Sequence, residues 1–233
     1  MVSLKSHQGK TFTHFNSLLQ ICDTFWTYVV NRYELRDNIP NLWMTSAALA
    51  EIRIAISKPN SMHDTAYTKI QVLAKQIFET GHFPKPYCGK DNNIFIRDAS
   101  TTFNSILYLS VVGAISSNEA YLSTSKQVLL SWAMTLPPPG TMLIDESHPA
   151  KLLTATGLTI SRFIDRIIET YRILSASMTN TEIFFVKRWL IALGATIKAS
   201  HDFWLRLYQL AGPQHILSWH IFGTLFVFSA IEN

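Results

Sequence analysis

The chain has 233 residues, and 20 Lys and Arg against 16 Asp and Glu leave a formal charge of +4 with histidines neutral. Apolar residues make up 48% and charged ones only 15%, where about a quarter is usual, so disorder is excluded and a large buried core is implied. Two cysteines exclude a disulfide-stapled miniprotein, and the small, unclustered charge excess argues against nucleic acid as a partner while leaving an acidic polymer compatible.

The opening MVSLKSHQGK has no apolar run and no small-residue cleavage site, so no secretory signal is expected in the chain as written. Residues 12–32 carry a helical apolar pattern, and residues 1–37 are read as an N-terminal helical extension to a domain over 38–233. Helical patterns follow over 41–57 and over 61–80. The second opens with Ser61 and Asp64 as a cap pair, turns Tyr67, Ile70, Leu73, Ala74, Ile77 and Phe78 to one face, and stops at Gly81. A loop is expected over 81–97, with Asp98 capping a helix over 98–116. Ser116 and Glu119 have capping-box spacing and open a helix that points Tyr121, Val128, Leu129, Trp132 and Leu136 inward.

After a proline-rich loop over 137–149, residues 158–174 read as one helix with Ile160, Phe163, Ile164, Ile167, Ile168, Tyr171 and Leu174 on the core side. Arg162, Asp165, Arg166, Glu169 and Arg172 form its solvated, ion-paired outer face. Thr179 with Glu182 opens the next helix, through Phe185, Trp189, Leu193 and Ile197. A last helix runs from Gly212-Pro213 toward residue 230. Its apolar stretch, 216–231, is shorter than the roughly 18 to 20 residues that span a bilayer and contains His220, so a core helix and no membrane span are expected. Nine prolines fall between these segments or in their first turns, and no run alternates with period two. The expected fold is all-α, about eight helices joined by short connections and paired as antiparallel hairpins.

Strong chemical motifs are absent. There is no Gly-rich phosphate loop, no Gly-x-Ser-x-Gly elbow, no His-Glu-x-x-His and no Cys-x-x-Cys. Cys22 and Cys88 are expected as independent thiols. His215 and His220 fall roughly 140° apart around a helix, a poor pair for one metal ion, so no metal is expected. Asp145 and Glu146 lie in a loop, and no pair of opposed carboxylates suggests a glycosidase. The segment from Gly212 to His220 stands out because Gln214, His215, Trp219 and His220 open a helix that otherwise reads as core. A purely structural reading has those polar groups satisfied locally and Trp219 buried.

The phrases Arg97-Asp98-Ala99, Ser116-Ser117-Asn118-Glu119-Ala120-Tyr121 and Leu129-Leu130-Ser131-Trp132-Ala133, the helix from Gly157-Leu158 to Leu174, and Gln214-His215-Ile216-Leu217-Ser218-Trp219-His220 resemble, in order and spacing, the alginate lyase superfamily. The resemblance covers roughly residues 38–233 and implies an incomplete (α/α) toroid of antiparallel helix hairpins, C-terminally truncated or degenerate. It implies β-elimination of a uronate polysaccharide such as alginate, with no cofactor, in a periplasmic or extracellular setting. On this resemblance His215 is the base or carboxylate neutraliser and Gln214 a second neutraliser, while Arg97, Trp219 and His220 contact the sugar. A gapless alignment on Trp219 puts Ile216 at the family's catalytic histidine position, and one residue of shift brings His215 there. These residue types suit the reaction. Neutralising the uronate carboxylate acidifies C5, and a histidine or tyrosine then takes the proton. The alternative from a different class is a non-catalytic helical scaffold for protein binding, although no fixed-period repeat is visible.

Overall fold

The computed structural model describes residues 46–143, 156–208 and 215–231. The expected helix over 12–32, the extension over 1–37, Gln214, Cys22 and the carboxylates Asp145 and Glu146 lie outside the described residues. Seven helices follow in order: α1 Ser46–Ile56, α2 Met62–Thr80, α3 Asn92–Ser116, α4 Glu119–Ala133, α5 Ile164–Ser175, α6 Asn180–Tyr208 and α7 His215–Ile231. A short helical stretch over 156–161 precedes α5. Among the described residues there is no strand, so the all-α expectation holds.

Two expected caps form as the spacing demands. Ser61 Oγ accepts from the Asp64 N–H at 3.0 Å while Asp64 accepts from the Asn60 N–H at 3.0 Å, and Gly81 closes α2 at φ 59°. At the start of α6, Glu182 accepts from the Thr179 N–H at 2.7 Å and Thr179 Oγ1 accepts from the Glu182 N–H at 3.3 Å, a reciprocal capping box.

Five expectations need correction. Asp98 does not cap α3, because Asp91 does so seven residues earlier, accepting from the Asn93 and Ile94 N–H groups at 2.8 and 3.1 Å. The earlier start lets Phe95 reach the core, where it is fully buried, and shortens the preceding loop. Ser116 does not open α4. It ends α3 with its hydroxyl donating to the Val112 carbonyl, and Asn118 caps α4 instead, accepting from the Ala120 and Tyr121 N–H groups. Leu136 lies beyond the end of α4 and is exposed. The helix expected over 158–174 breaks at 162–163, where Ser161 Oγ donates to the Gly157 carbonyl four residues back, a local bond that bends helices. Finally, Arg172 is buried and pairs with Glu169 at 2.7 Å, because α5 is packed against α3, α4 and α7.

The core is built around α3, which packs on α1, α2, α4 and α5. By length and composition α3 could cross a membrane, yet half of its apolar window is buried against the rest of the protein. Helices α3 and α4 form an antiparallel hairpin: Leu122 lies beside Gly113, the Ser125 hydroxyl donates to the Ile106 carbonyl, and Trp132 packs edge-on to Phe103 at 4.9 Å. Trp189 on α6 stacks near Phe103 at 5.7 Å, and its indole N–H donates to the Pro139 carbonyl at 3.0 Å. That bond, with Gly140 at φ 88° pressed between Phe95 and Leu193, ties the proline-rich loop to the core.

A second hairpin pairs α6 with α7. Its register runs through Lys187, whose ammonium donates to the Ile231 carbonyl, Gly194 against Val227, Ile197 against Gly223, and His201 against His220. The two glycines allow this approach, since a Cβ on Gly194 would stand 2.8 Å from the Val227 methyl carbon. The last helix is apolar as expected, but it is not wholly a core helix, because Trp219 is 37% and Ile221 53% exposed.

Candidate functional site

The start of α7 carries most of the residues that the sequence singles out. His215 is the first residue of the helix. One turn on, Trp219 is half exposed and meets Phe222 edge-on at 5.8 Å, and Phe222 stacks on Phe226 at 4.4 Å. Spacings of three and four residues align these rings as an aromatic ladder along one side of α7. Trp219 is thus not the buried indole of the purely structural reading.

His220 faces the other way. Its imidazole is fully buried and lies edge-on to His201 at 5.9 Å, so where a cleft wall is expected the ring is enclosed. Around it, the Gly157 N–H donates to Ser200 Oγ at 3.0 Å, and Thr224 donates to the His220 carbonyl at 2.8 Å. Gly157 is the meeting point. A Cβ there would stand 2.7 Å from both Ser200 Oγ and His220 Nε2, so those two atoms lie no further apart than twice that distance.

A hydroxyl beside an imidazole is half of a nucleophilic constellation. Here both groups are fully buried, and Ser200 Oγ already accepts a backbone hydrogen bond. Asp202, the nearest acid along the helix, points outward and pairs with Lys198. The cluster is therefore a polar joint binding the 156–161 stretch to α6 and α7. Sequence reasoning missed Gly157, Ser200 and His201. The available signal was Ser200 and His201 continuing the apolar stripe of Trp189, Leu193 and Ile197, where polar side chains need buried partners.

Arg97 stands apart on the second turn of α3. Its side chain is 70% exposed and its Nε donates to Asp98 at 2.8 Å, an ion pair that raises the guanidinium pKa. Helix α7 packs on α5 and α6, whereas α3 packs on α1, α2, α4 and α5, so Arg97 and Trp219 sit on helices that do not run along each other.

Other titratable groups answer to burial. Desolvation raises the Tyr171 phenol to about 12 and pushes the half-buried Cys88 thiol up. Burial also lifts Glu169, opposed by the Arg172 charge, and lowers Lys187. Among the described residues no group of three or more His, Cys, Asp or Glu side chains is placed to hold a metal ion. Comparison with protein families, characterised proteins and solved structures finds no match to this chain.

Proposed function

We propose that the chain is an alginate-lyase-like (α/α) toroid protein that holds a uronate polysaccharide along the outer side of α7 and acts on it by β-elimination. The observation that carries this reading is the exposed Trp219 ring, edge-on to Phe222 one turn inside a helix N-terminus, with Phe226 beneath Phe222 and packed against the core. Flat rings give apolar platforms for sugar faces, and the unpaired N–H groups at a helix start favour a carboxylate. In this reading Gln214 neutralises the uronate carboxylate and His215 accepts the C5 proton; the C4–C5 double bond forms as the C4–O bond breaks, and the departing 4-linked oxygen takes a proton from water. Trp219 carries the sugar ring. Arg97, apart on α3, would meet a uronate further along the polymer by exchanging Asp98 for its carboxylate. His220 acts indirectly, by fixing α7 on α6.

The second reading is a non-catalytic helical scaffold for protein binding. It is favoured by the local Arg97–Asp98 ion pair and by the enclosure of His220. One experiment separates the two. Incubation with alginate should produce ultraviolet absorbance, because elimination leaves a conjugated double bond that hydrolysis does not. His215→Ala should abolish that signal, and Trp219→Ala should weaken binding of a labelled oligouronate by about tenfold, the loss of roughly 1.4 kcal/mol of contact. Neither absorbance nor oligouronate binding by the parent protein would overturn the lyase reading and leave the scaffold.

A further inference from the structure

The joint beneath α7 brings two imidazoles together. His201 on α6 and His220 on α7 stand edge-on, ring centroids 5.9 Å apart, where the hairpin meets the 156–161 stretch. The His220 ring is fully buried. His201 is half-buried, and its Nδ1 is shielded from solvent with no hydrogen-bond partner. His63 and His82, by contrast, are exposed. The joint is close-packed, since a Cβ on Gly157 would stand 2.4 Å from Ser200 Cβ and 2.7 Å from His220 Nε2. The two rings therefore have little room to move apart while the hairpin stays closed.

Histidine is the side chain whose ordinary charge change falls between about pH 8 and 5. Two protons on this pair would place like charges within one joint, where the low dielectric strengthens their repulsion. The described charged groups nearby are engaged elsewhere or absent. On α6, Lys198 and Asp202 pair with each other on the outer side, so the acid next to His201 in sequence is taken. The 156–161 stretch has no titratable side chain. Arg162, just before α5, is exposed; Asp165 and Arg166 lie in the first turn of α5, and Glu169 is bound to Arg172. On α7 the other titratable residue is His215, and Lys187 sits at the far end of the hairpin on the Ile231 carbonyl. The folded chain thus takes up the second proton less readily than the unfolded chain does. The stability the joint contributes is complete while the pair holds at most one proton and is lost as pH falls through the histidine range.

We propose that His201 and His220 form an acid-sensitive latch: charging both rings parts the start of α7 from α6 and from the 156–161 stretch, while the α3–α4 hairpin stays folded. Trp219, next to His220 in sequence and half exposed, is carried by the released segment. Acid then alters the face of α7 whether it serves a polysaccharide or a protein partner.

Hydrogen exchange on the full-length chain at about pH 7.5 and 5.5, corrected for the intrinsic pH dependence of amide exchange, tests the latch. In the parent protein, exchange over 156–161 and 215–224 should speed by about tenfold or more at the lower pH, with the α3–α4 hairpin unchanged. His201→Asn leaves one imidazole and supplies an amide oxygen as acceptor, and should cut the acceleration to about threefold or less. The control, His63→Asn with His82→Asn, should keep the parental acceleration. Nuclear magnetic resonance titration of the imidazoles gives a second reading that does not depend on opening: the pH midpoint of His220 should rise in His201→Asn, where the competing charge is gone. Equal protection at both pH values in the parent, parental acceleration in His201→Asn, or an unmoved His220 midpoint would each overturn the latch.

Discussion

Gly157→Ala probes the joint that locks the last hairpin. The added methyl would meet Ser200 Cβ and stand 2.7 Å from Ser200 Oγ and His220 Nε2. None of these is the free end of a flexible side chain. Ser200 Cβ is fixed to the α6 backbone, and the His220 ring is fully buried against His201. Overpacking of this kind costs about 1–3 kcal/mol. Displacing Ser200 also strains its 3.0 Å bond from the Gly157 N–H, a loss of about 1 kcal/mol. The intrinsic helix preference for alanine over glycine returns up to about 1 kcal/mol. The expected net destabilisation is about 2 kcal/mol, or roughly 4–8 °C in Tm for a chain of this size. Thermal and urea unfolding followed by circular dichroism measure it. Ser200→Gly in the Gly157→Ala background removes the clashing Cβ and should show a favourable coupling of about 1 kcal/mol in the double-mutant cycle. A Gly157→Ala protein with parental or higher Tm would refute the close packing of the 156–161 stretch against α6 and α7.

Asp91→Ala removes the side-chain acceptor for the Asn93 and Ile94 N–H groups and should cost about 1 kcal/mol, with exchange rising first at the N-terminus of α3; uniform exchange there would contradict the cap. Trp189→Phe leaves the Pro139 carbonyl without its indole donor and opens space in the core. It should destabilise by about 2–3 kcal/mol in urea unfolding, and a change below about 0.5 kcal/mol would remove the loop-anchoring role. Glu182 is held below its ordinary value of 4.5, chiefly by the Thr179 backbone hydrogen bond. A depressed folded pKa means its contribution is complete above 4.5 and lost as pH falls through the folded value. Glu182→Gln should therefore lower stability at neutral pH, leave the most acidic region little changed, and so flatten the acid limb of the stability profile below pH 4.5, as acid titration followed by circular dichroism would record.

Where a helix boundary depends on a short-range pattern, it was legible. Ser61, Asp64 and Gly81 bracket α2, and Thr179 with Glu182 opens α6, because each cap joins groups three or four residues apart. The misplaced boundaries had two plausible caps in competition. Asp91 and Asp98 both precede apolar runs, as do Ser116 and Asn118, and burial of Phe95 and the tight α3–α4 turn decide between them. The candidate site was legible only as a run of unusual residues. That Trp219 faces outward while its neighbour His220 is enclosed follows from the roughly 100° step between successive helix residues, once the side of α7 that meets α6 is known.

Hydrophobic periodicity, proline placement and the absence of alternating runs were enough to anticipate the all-helical character of the described residues, since these depend on local backbone geometry alone. Pairing is a different kind of information. Arg172 reads as solvated from its own helix, yet α5 lies between α3, α4 and α7, and the arginine is buried on Glu169. The Arg53 guanidinium on α1 donates to the Ala114 and Ile115 carbonyls and closes the end of α3, 61 and 62 residues away in sequence. Gly157 and Ser200 are unremarkable along the chain, yet they meet His220 at one point in the core. Each such contact depends on which helix faces lie against one another. That choice is made by the collective fit of many side chains, so no window of neighbouring residues encodes it.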